Sequence, residues 1–599
     1  MTQGNPDNMK TIVTLFATCA MMSYLASWGL ADENVENRPH FRKPVAIAVT
    51  VNGQLVTANE RSGSISLLEG TESLGVLSET VVGKSLSDIA VLNSSYFLVT
   101  DFTGHELILI KQKGAELNAV YRLAVSSYPV SVRISGNGTR AFVASLWSRT
   151  ITVVDVPALL ENVNVAGRSE TANRPLILMT VTLTFAPREM LAVSERERLI
   201  VADAFGPRLA VIDPAAGTVE SIRELPAHGL RCLQRHPGKP RLLFTHQMLS
   251  RLAQTTFDDV HWGSLMVNCL RSLSLESVLD PQADPLLSSR LDYIGGPEQG
   301  AADPAGFVIR SDDTLAMALS GTNEVVFDEG NHLYSRRIKV GDQPTKMVLA
   351  PDGSNAFVIN SLADSVSMVN LDRRTLIRTA SLGPTPEATS VDRGERLFHS
   401  AALSHDRWFS CSSCHINGHT SGLLNDNLTD GTFGTAKRIL SLRGVGDTAP
   451  YAWNGRFASL SEQIQHSIRS TMQGDSLTDM QTADLEAYLR ALPPITSPPP
   501  IDTAAVERGA TLFEQFECRK CHTSPTLTSP RVVDVRLADE KGQGKFNPPS
   551  LRGVIHNGPY FHDGRALTLY DVFLKFQHQV ETPLSDEQAR DLVAYLSSL

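Results

Sequence analysis

The stretch "PVSVRISGNGTRAFVASLWSRTITVVDV" (Pro129–Val156) has a near twin in "PTKMVLAPDGSNAFVINSLADSVSMVNL" (Pro344–Leu371). Each reads as an alternating apolar strand, an Asn-Gly or Asp-Gly turn, a second strand, a short polar turn and a third strand. Weaker copies begin near Pro44, Leu86, Leu183, Leu230 and Phe307. Units recurring at about forty residues, each one small sheet, are the signature of a β-propeller. The copies predict an all-β propeller of seven blades over residues 40–385, with six or eight as the alternatives because two copies are faint.

After "SLGPTPEATS" the pattern changes to helix. "VDRGERLFHSAALSHDRWFSCSSCH" and "AVERGATLFEQFECRKCH" share an amphipathic lead-in, and each ends in CxxCH. A second pair of matching peptides lies downstream, "SLRGVGDTAPYAWNGRFASL" (Ser441–Leu460) and "SLRGVIHNGPYFHDGRALTL" (Ser550–Leu569). Loop and turn residues fill much of both, so a shared core does not by itself demand the match. The copies differ where Trp453 stands opposite His562. The reading is a mainly α region of two duplicated modules, 390–493 and 503–599, separated by a stiff Pro-rich linker, 494–502.

Two CxxC pairs each followed by histidine are c-type haem attachment sites. Cys411 and Cys414, and Cys518 and Cys521, would form thioethers to the two vinyl groups, with His415 and His522 as proximal iron ligands. A zinc site would need four convergent ligands and gives no reason for a histidine after both pairs. The N-terminus fits this chemistry. Lys10 precedes the apolar Thr11–Ala31, which ends in small residues before an acidic stretch, as in a cleaved signal peptide over 1–31; an uncleaved anchor is the alternative. Export leaves Cys232 and Cys269 as a disulfide, or else as two buried thiols. The 599 residues carry 54 Lys and Arg against 64 Asp and Glu, with no basic tract, which argues against nucleic acid as a partner.

The propeller unit resembles the YVTN-type blades of exported bacterial propellers. Two c-type modules with "PYAWNGR" in the first and "PYFHDGR" in the second resemble the bacterial dihaem cytochrome c peroxidase and MauG family over roughly residues 390–599. The resemblance implies that Trp453 relays electrons between the haems; core packing is its plainer role. It places a distal ligand at Phe576, which cannot bind iron, so His578 is the substitute, against a surface histidine or an open iron. It places a catalytic glutamate at Gln473, or at Thr471 if Met472 is the anchor, with His466 as a replacement general acid or base and Met472 as a side chain able to close the first iron. Arg443, Arg456, Arg552 and Arg565 recur in the two copies and suit haem propionates, with surface ion pairs as the alternative. A calcium ion between the modules is allowed, although Lys437 stands where a ligand is expected.

These readings converge on a periplasmic or surface-exported oxidoreductase with two covalent haems c. Hydrogen peroxide would react at the first haem, with electrons arriving from the second through Trp453. The propeller would dock a small redox protein or a protein substrate. The membrane would be met only transiently, through the signal peptide. The alternative is a non-enzymatic electron carrier with both irons six-coordinate.

Overall fold

The computed structural model describes residues 39–165, 175–328, 334–498 and 502–599. The expected signal peptide and part of the Pro-rich linker lie outside them. Among the described residues no helix is long and apolar enough to cross a membrane.

Seven four-stranded antiparallel sheets follow one another along the chain: β1–β4 (44–81), β5–β8 (86–124), β9–β12 (129–182), β13–β16 (187–224), β17–β20 (228–294), β21–β24 (304–339) and β25–β28 (344–381). The first three strands of a blade are largely buried. The fourth forms the outer edge, as in β16 (Thr218–Glu224), where exposed and partly buried side chains alternate. Between each pair of neighbouring blades lies an apolar cluster, and there are seven such clusters. The one between the last blade and the first joins Phe357, Ile359 and Val366 to Ile47, Leu55 and Leu68. Every blade is built from contiguous strands, so side-chain packing closes the ring, with no strand shared across the join.

Three short helices decorate the blades: α1 (Val156–Val165), α2 (Phe257–His261) and α3 (Leu275–Leu279). Helix α2 lies in an insertion between β18 (Arg241–Leu249) and β19 (Met266–Ser274) of blade five. The expected disulfide is not formed: Cys232 and Cys269 are both free and buried. Cys232 is on β17 (His228–Arg235) and Cys269 on β19, with β18 between them. Two strand spacings are about 9.5 Å, beyond the reach of a disulfide. The Cys232 thiol instead meets the Phe307 backbone and Gln234 Nε2.

The α region is a set of helices, α4 (Ser390–Phe398), α5 (Cys411–Cys414), α6 (Leu460–His466), α7 (Asp479–Ala491), α8 (Thr503–Gln515) and α9 (Asp586–Ser597). Helix α4 packs on α7 and α8 on α9 through the same local contacts. Arg393 grips Asp484 at 2.8 and 2.7 Å, and Arg508 grips Asp591 at 2.8 and 2.7 Å. A Cβ on Gly394 would lie 2.0 Å from the Asp484 carbonyl oxygen, and one on Gly509 would lie 1.9 Å from that of Asp591. Only glycine permits either approach.

This region covers one face of the propeller. Ile416 and Ile495 insert among Leu146, Trp147, Ala186, Ala204 and Phe205. Ile495, expected in the linker, is thus an anchor. Helix α4 also spans the join between blades seven and one. Glu395 accepts from Lys43 at 2.9 Å and from Arg61, Asp392 accepts from Arg61 at 2.6 Å, and Arg396 donates to the Leu362 carbonyl at 3.3 Å.

Candidate functional site

The first CxxCH begins at α5, whose Ser410 and Ser413 form a capping box. Both hydroxyls also donate to Asp303 at the mouth of blade six, at 2.6 and 2.7 Å, and Asp303 is 2% exposed. His228 Nε2 donates to the Ser413 carbonyl at 3.2 Å. The propeller therefore grips the attachment turn itself. Burial, with Asp303 adding to it, pushes the Cys411 and Cys414 thiols up to about 12.

These cysteines open on a hollow of about 280 Å³ that His415, Arg438, Arg443, Trp453 and Met472 also line. His415 Nδ1 donates to the Leu440 carbonyl at 2.9 Å, and burial drives its pKa down to about 4. The ring is thus neutral with its tautomer fixed and Nε2 left for a metal. The buried Nε atoms of Arg438 and Arg443 have no partner. No carboxylate forms an ion pair with either among the described residues, and burial lowers Arg438 to about 10. Two unanswered guanidinium groups beside a CxxCH fit the propionates of haem c.

Of the four arginines expected as clamps, Arg443 alone is free in this way. Arg552 lines the hollow, but Asp447 answers its charge at 2.7 Å. Arg456 is exposed and donates to the Thr429 carbonyl, and Arg565 is paired to Asp563. Arg438 was not foreseen, because the second copy carries Asn547 at its place and a comparison of copies passes over it.

Helix α6 runs into a wide turn, Ser467–Thr471, closed by Met472 N donating to the Ser467 carbonyl. The second half repeats this over Asp571–Lys575, with Phe576 N donating to Asp571. Met472 and Phe576 are thus structural counterparts, and so are Gly474 and His578, whose amides bond Ile468 and Val572. Met472 is 4% exposed and faces the hollow. Gln473 and His466 do not. Gln473 Nε2 donates to the Thr255 carbonyl of the blade-five insertion at 2.6 Å. His466 Nε2 meets the Asn427 carbonyl at 3.1 Å, with its ring against Phe457. The polar side chains that do face the hollow from this helix and turn are Gln463, Ser467 and Thr471.

Trp453 is the link between the halves. Its Nε1 donates to the Arg438 carbonyl at 2.7 Å, and the Arg438 amide donates to the His562 carbonyl at 2.7 Å. The Trp453 and His562 rings stand edge to face at 6.4 Å, with Phe546 stacked on His562 at 4.0 Å. Trp453 and His562, which occupy the same place in the two repeated peptides, therefore meet across the seam.

In the second half His522 Nδ1 donates to the Leu527 carbonyl at 3.1 Å, and burial lowers its pKa. His578 Nδ1 is buried without a partner, and burial together with His522 pushes the ring down to about 4. Phe576 packs on Phe561. Between the halves, Lys437 Nζ joins the Thr435 carbonyl at 2.7 Å to Asp539 at 3.0 Å. An ammonium group thus stands in the region where calcium was allowed.

A CxxCH, an imidazole poised for iron and unpaired propionate partners fit a covalent haem c, and the relatives below make the protein a haem oxidoreductase of the peroxidase type. Residues 388–495 match the family model for di-haem cytochrome c peroxidase. Over this C-terminal region the chain is similar to di-haem cytochrome c peroxidases and MauG proteins, and a seven-bladed propeller precedes it. Among similar proteins is hydrazine synthase subunit gamma of Kuenenia stuttgartiensis, 25% identical over 35% of this chain and 77% of that protein. MauG of Methylorubrum extorquens is 25% identical over 36% of this chain and 78% of its own. Cytochrome c peroxidase Ccp of Escherichia coli is 25% identical over 36% and 58%. A solved hydrazine synthase chain from Kuenenia stuttgartiensis overlaps 57% of this chain and 99% of its own, at 16% identity and a TM-score of 0.44.

Proposed function

We propose that the protein is an exported, periplasmic oxidoreductase that uses hydrogen peroxide at the first haem site and draws electrons from the second. The observation that carries this reading is one hollow holding Cys411, Cys414, His415 and Trp453, with Trp453 also touching the second half. Cys411, Cys414 and His415 would hold one haem c and Cys518, Cys521 and His522 the other. Bound there, haem c supplies the electrons that turn peroxide and two protons into two waters. Arg438 and Arg443 fix the propionate side. Trp453 bridges the seam, held in one orientation by its bond to Arg438. No Asp or Glu lines the hollow among the described residues, so protons must pass through the Ser467 and Thr471 hydroxyls or water. That favours slow, MauG-like oxidation of a protein side chain over rapid peroxide removal. A docking partner has the far face and rim of the propeller to use, since the near face is covered.

A second reading has a specific observation behind it. Met472 lines the hollow and His578 Nδ1 is buried without a partner near His522, so these two side chains would close both irons in an electron carrier. Electron paramagnetic resonance of the oxidised and half-reduced protein, before and after peroxide, separates the two. The proposal expects a high-spin ferric signal that peroxide removes. Two low-spin signals indifferent to peroxide in both states would leave the carrier.

A further inference from the structure

Away from both CxxCH motifs, three metal-binding side chains converge where the blade-five insertion meets the α region. His261 ends α2; His405 and Asp406 lie between α4 and α5. Their donor atoms all fall within 4.8 Å of one another. His261 Nδ1 is 2.6 Å from Asp406 Oδ2, and His405 Nε2 is 3.5 Å from the same oxygen. Among the described residues, no other group of three or more His, Cys, Asp or Glu comes together in this way.

The surroundings hold these groups in place. Phe257 stacks along the His261 ring at 5.7 Å and lies 4.3 Å from that of His405, walling one side. The carbonyl of His261 accepts from Trp408 Nε1 at 3.0 Å, and the His405 amide donates to the Met472 carbonyl at 2.9 Å. Asp406 and Arg407 have φ of 54° and 63°, a left-handed conformation that side chains adopt at a cost. The Asp406 carbonyl is held there by the Gly300 amide at 2.8 Å, and a Cβ on Gly300 would lie 2.4 Å from that oxygen. The strained turn presents the carboxylate to both rings. His405 Nε2 is buried and makes no hydrogen bond, so one donor of the three is unused by the protein.

We propose that His261, His405 and Asp406 bind a zinc ion that staples the blade-five insertion to the α region beside Met472. Two imidazoles and one carboxylate are a zinc donor set that leaves a fourth position for water. Bonds of about 2.0–2.2 Å in a tetrahedron separate ligand atoms by roughly 3.3–3.5 Å. The His405–Asp406 spacing already has this value. The His261–Asp406 contact must open by under 1 Å, a side-chain movement that replaces one hydrogen bond with two metal bonds. The three side chains are partly buried, with 12–27% of each exposed, so the ion can enter from solvent. The site touches the first haem site only through backbone. Met472 O accepts from His405, and Gln473 is tied to Thr255 in the same insertion.

The test uses the full chain with both haems attached, so that the CxxCH cysteines are blocked. After treatment with a chelator, the protein is titrated with Zn²⁺ against a chromophoric competitor, and retained zinc is measured after desalting. The wild type should hold one equivalent more than Asp406→Asn and His261→Gln, or bind it at least about tenfold more tightly. Asp406→Asn keeps a carbonyl oxygen beside His261 and an unchanged backbone, and intact haem absorbance reports that it has folded. If that variant does not fold, His405→Gln takes its place. Equal zinc uptake and equal affinity in the wild type and folded variants would overturn the site.

Discussion

The two copies of the repeated peptide, 441–460 and 550–569, share their turns but not their surroundings. Gly444 and Gly553 take the same left-handed φ, as do Gly455 and Gly564, and Tyr451 and Tyr560 each pair with the strand residue after the arginine. What differs is what each half is given to work with. The first is gripped by Asp303 and His228, and Arg438, Arg443 and Met472 line its hollow. The second owes its shape to its own apolar core around Phe513, Leu551 and Tyr560, and it offers His578 where the first has Gly474. Repetition preserves a scaffold, and a handful of substitutions divide the labour.

The largest expected effect tests whether each half holds its own haem. Replacing Cys411 and Cys414 by alanine should halve the covalent haem content and abolish peroxide turnover. The same change at Cys518 and Cys521 should also halve the haem but leave the first-haem spectrum intact. A common loss of both haems in either variant would break the comparison.

Acid should act next, through the seams of the first half. His228 and His556 are pushed down to about 4 and about 2, mainly by burial. A lowered histidine pKa means that stability is complete above the unfolded value, near 6.5, and declines as pH falls toward the folded value. The slope is about 1.4 kcal/mol per pH unit for each such ring. Denaturant unfolding at pH 7.5 and pH 5 should show a drop of several kcal/mol, and a His228→Gln His556→Gln variant should lessen it, leaving the share of His246, His399 and His419, which burial also lowers.

Asp303→Asn removes a charged acceptor from two buried hydroxyls, worth about 2–3 kcal/mol. It should lower the first half's unfolding midpoint and leave the second-haem spectrum unchanged. Equal loss in both halves would mean that the propeller's grip is not particular to the first.

Trp453→Phe leaves the Arg438 carbonyl unpaired and should cost about 1–2 kcal/mol. Its sharper readout is slower electron exchange between the haems with both spectra preserved. An unchanged exchange rate would reduce Trp453 to packing.

Much of this was legible in the sequence. Seven blades followed from strand–turn–strand units whose Asn-Gly and Asp-Gly turns carry their own geometry, and the haem motifs from local spacing. What stayed hidden depends on contacts between distant residues. The Cys232–Cys269 pairing failed because β18 runs between them, a register that spacing does not reveal. Gln473 and His466 were placed by position along a helix, but the wide turn that follows rotates Gln473 onto Thr255, and the Asn427 carbonyl captures His466. Arg438 and Asp303 have no repeat partner to flag them.

The join between blades seven and one has a consequence for how the molecule is made. Among the described residues no strand is shared across it; Asp364 accepts from the Arg42 and Lys43 amides, the apolar cluster packs there, and Asp392, Glu395 and Arg396, which follow the whole ring in the chain, bridge it a second time. A nascent propeller can therefore close on itself through its own blades, and translation supplies a second clasp only afterwards. The two parts should melt as one cooperative unit, and a chain cut before residue 390 should leave a ring that breathes at that joint.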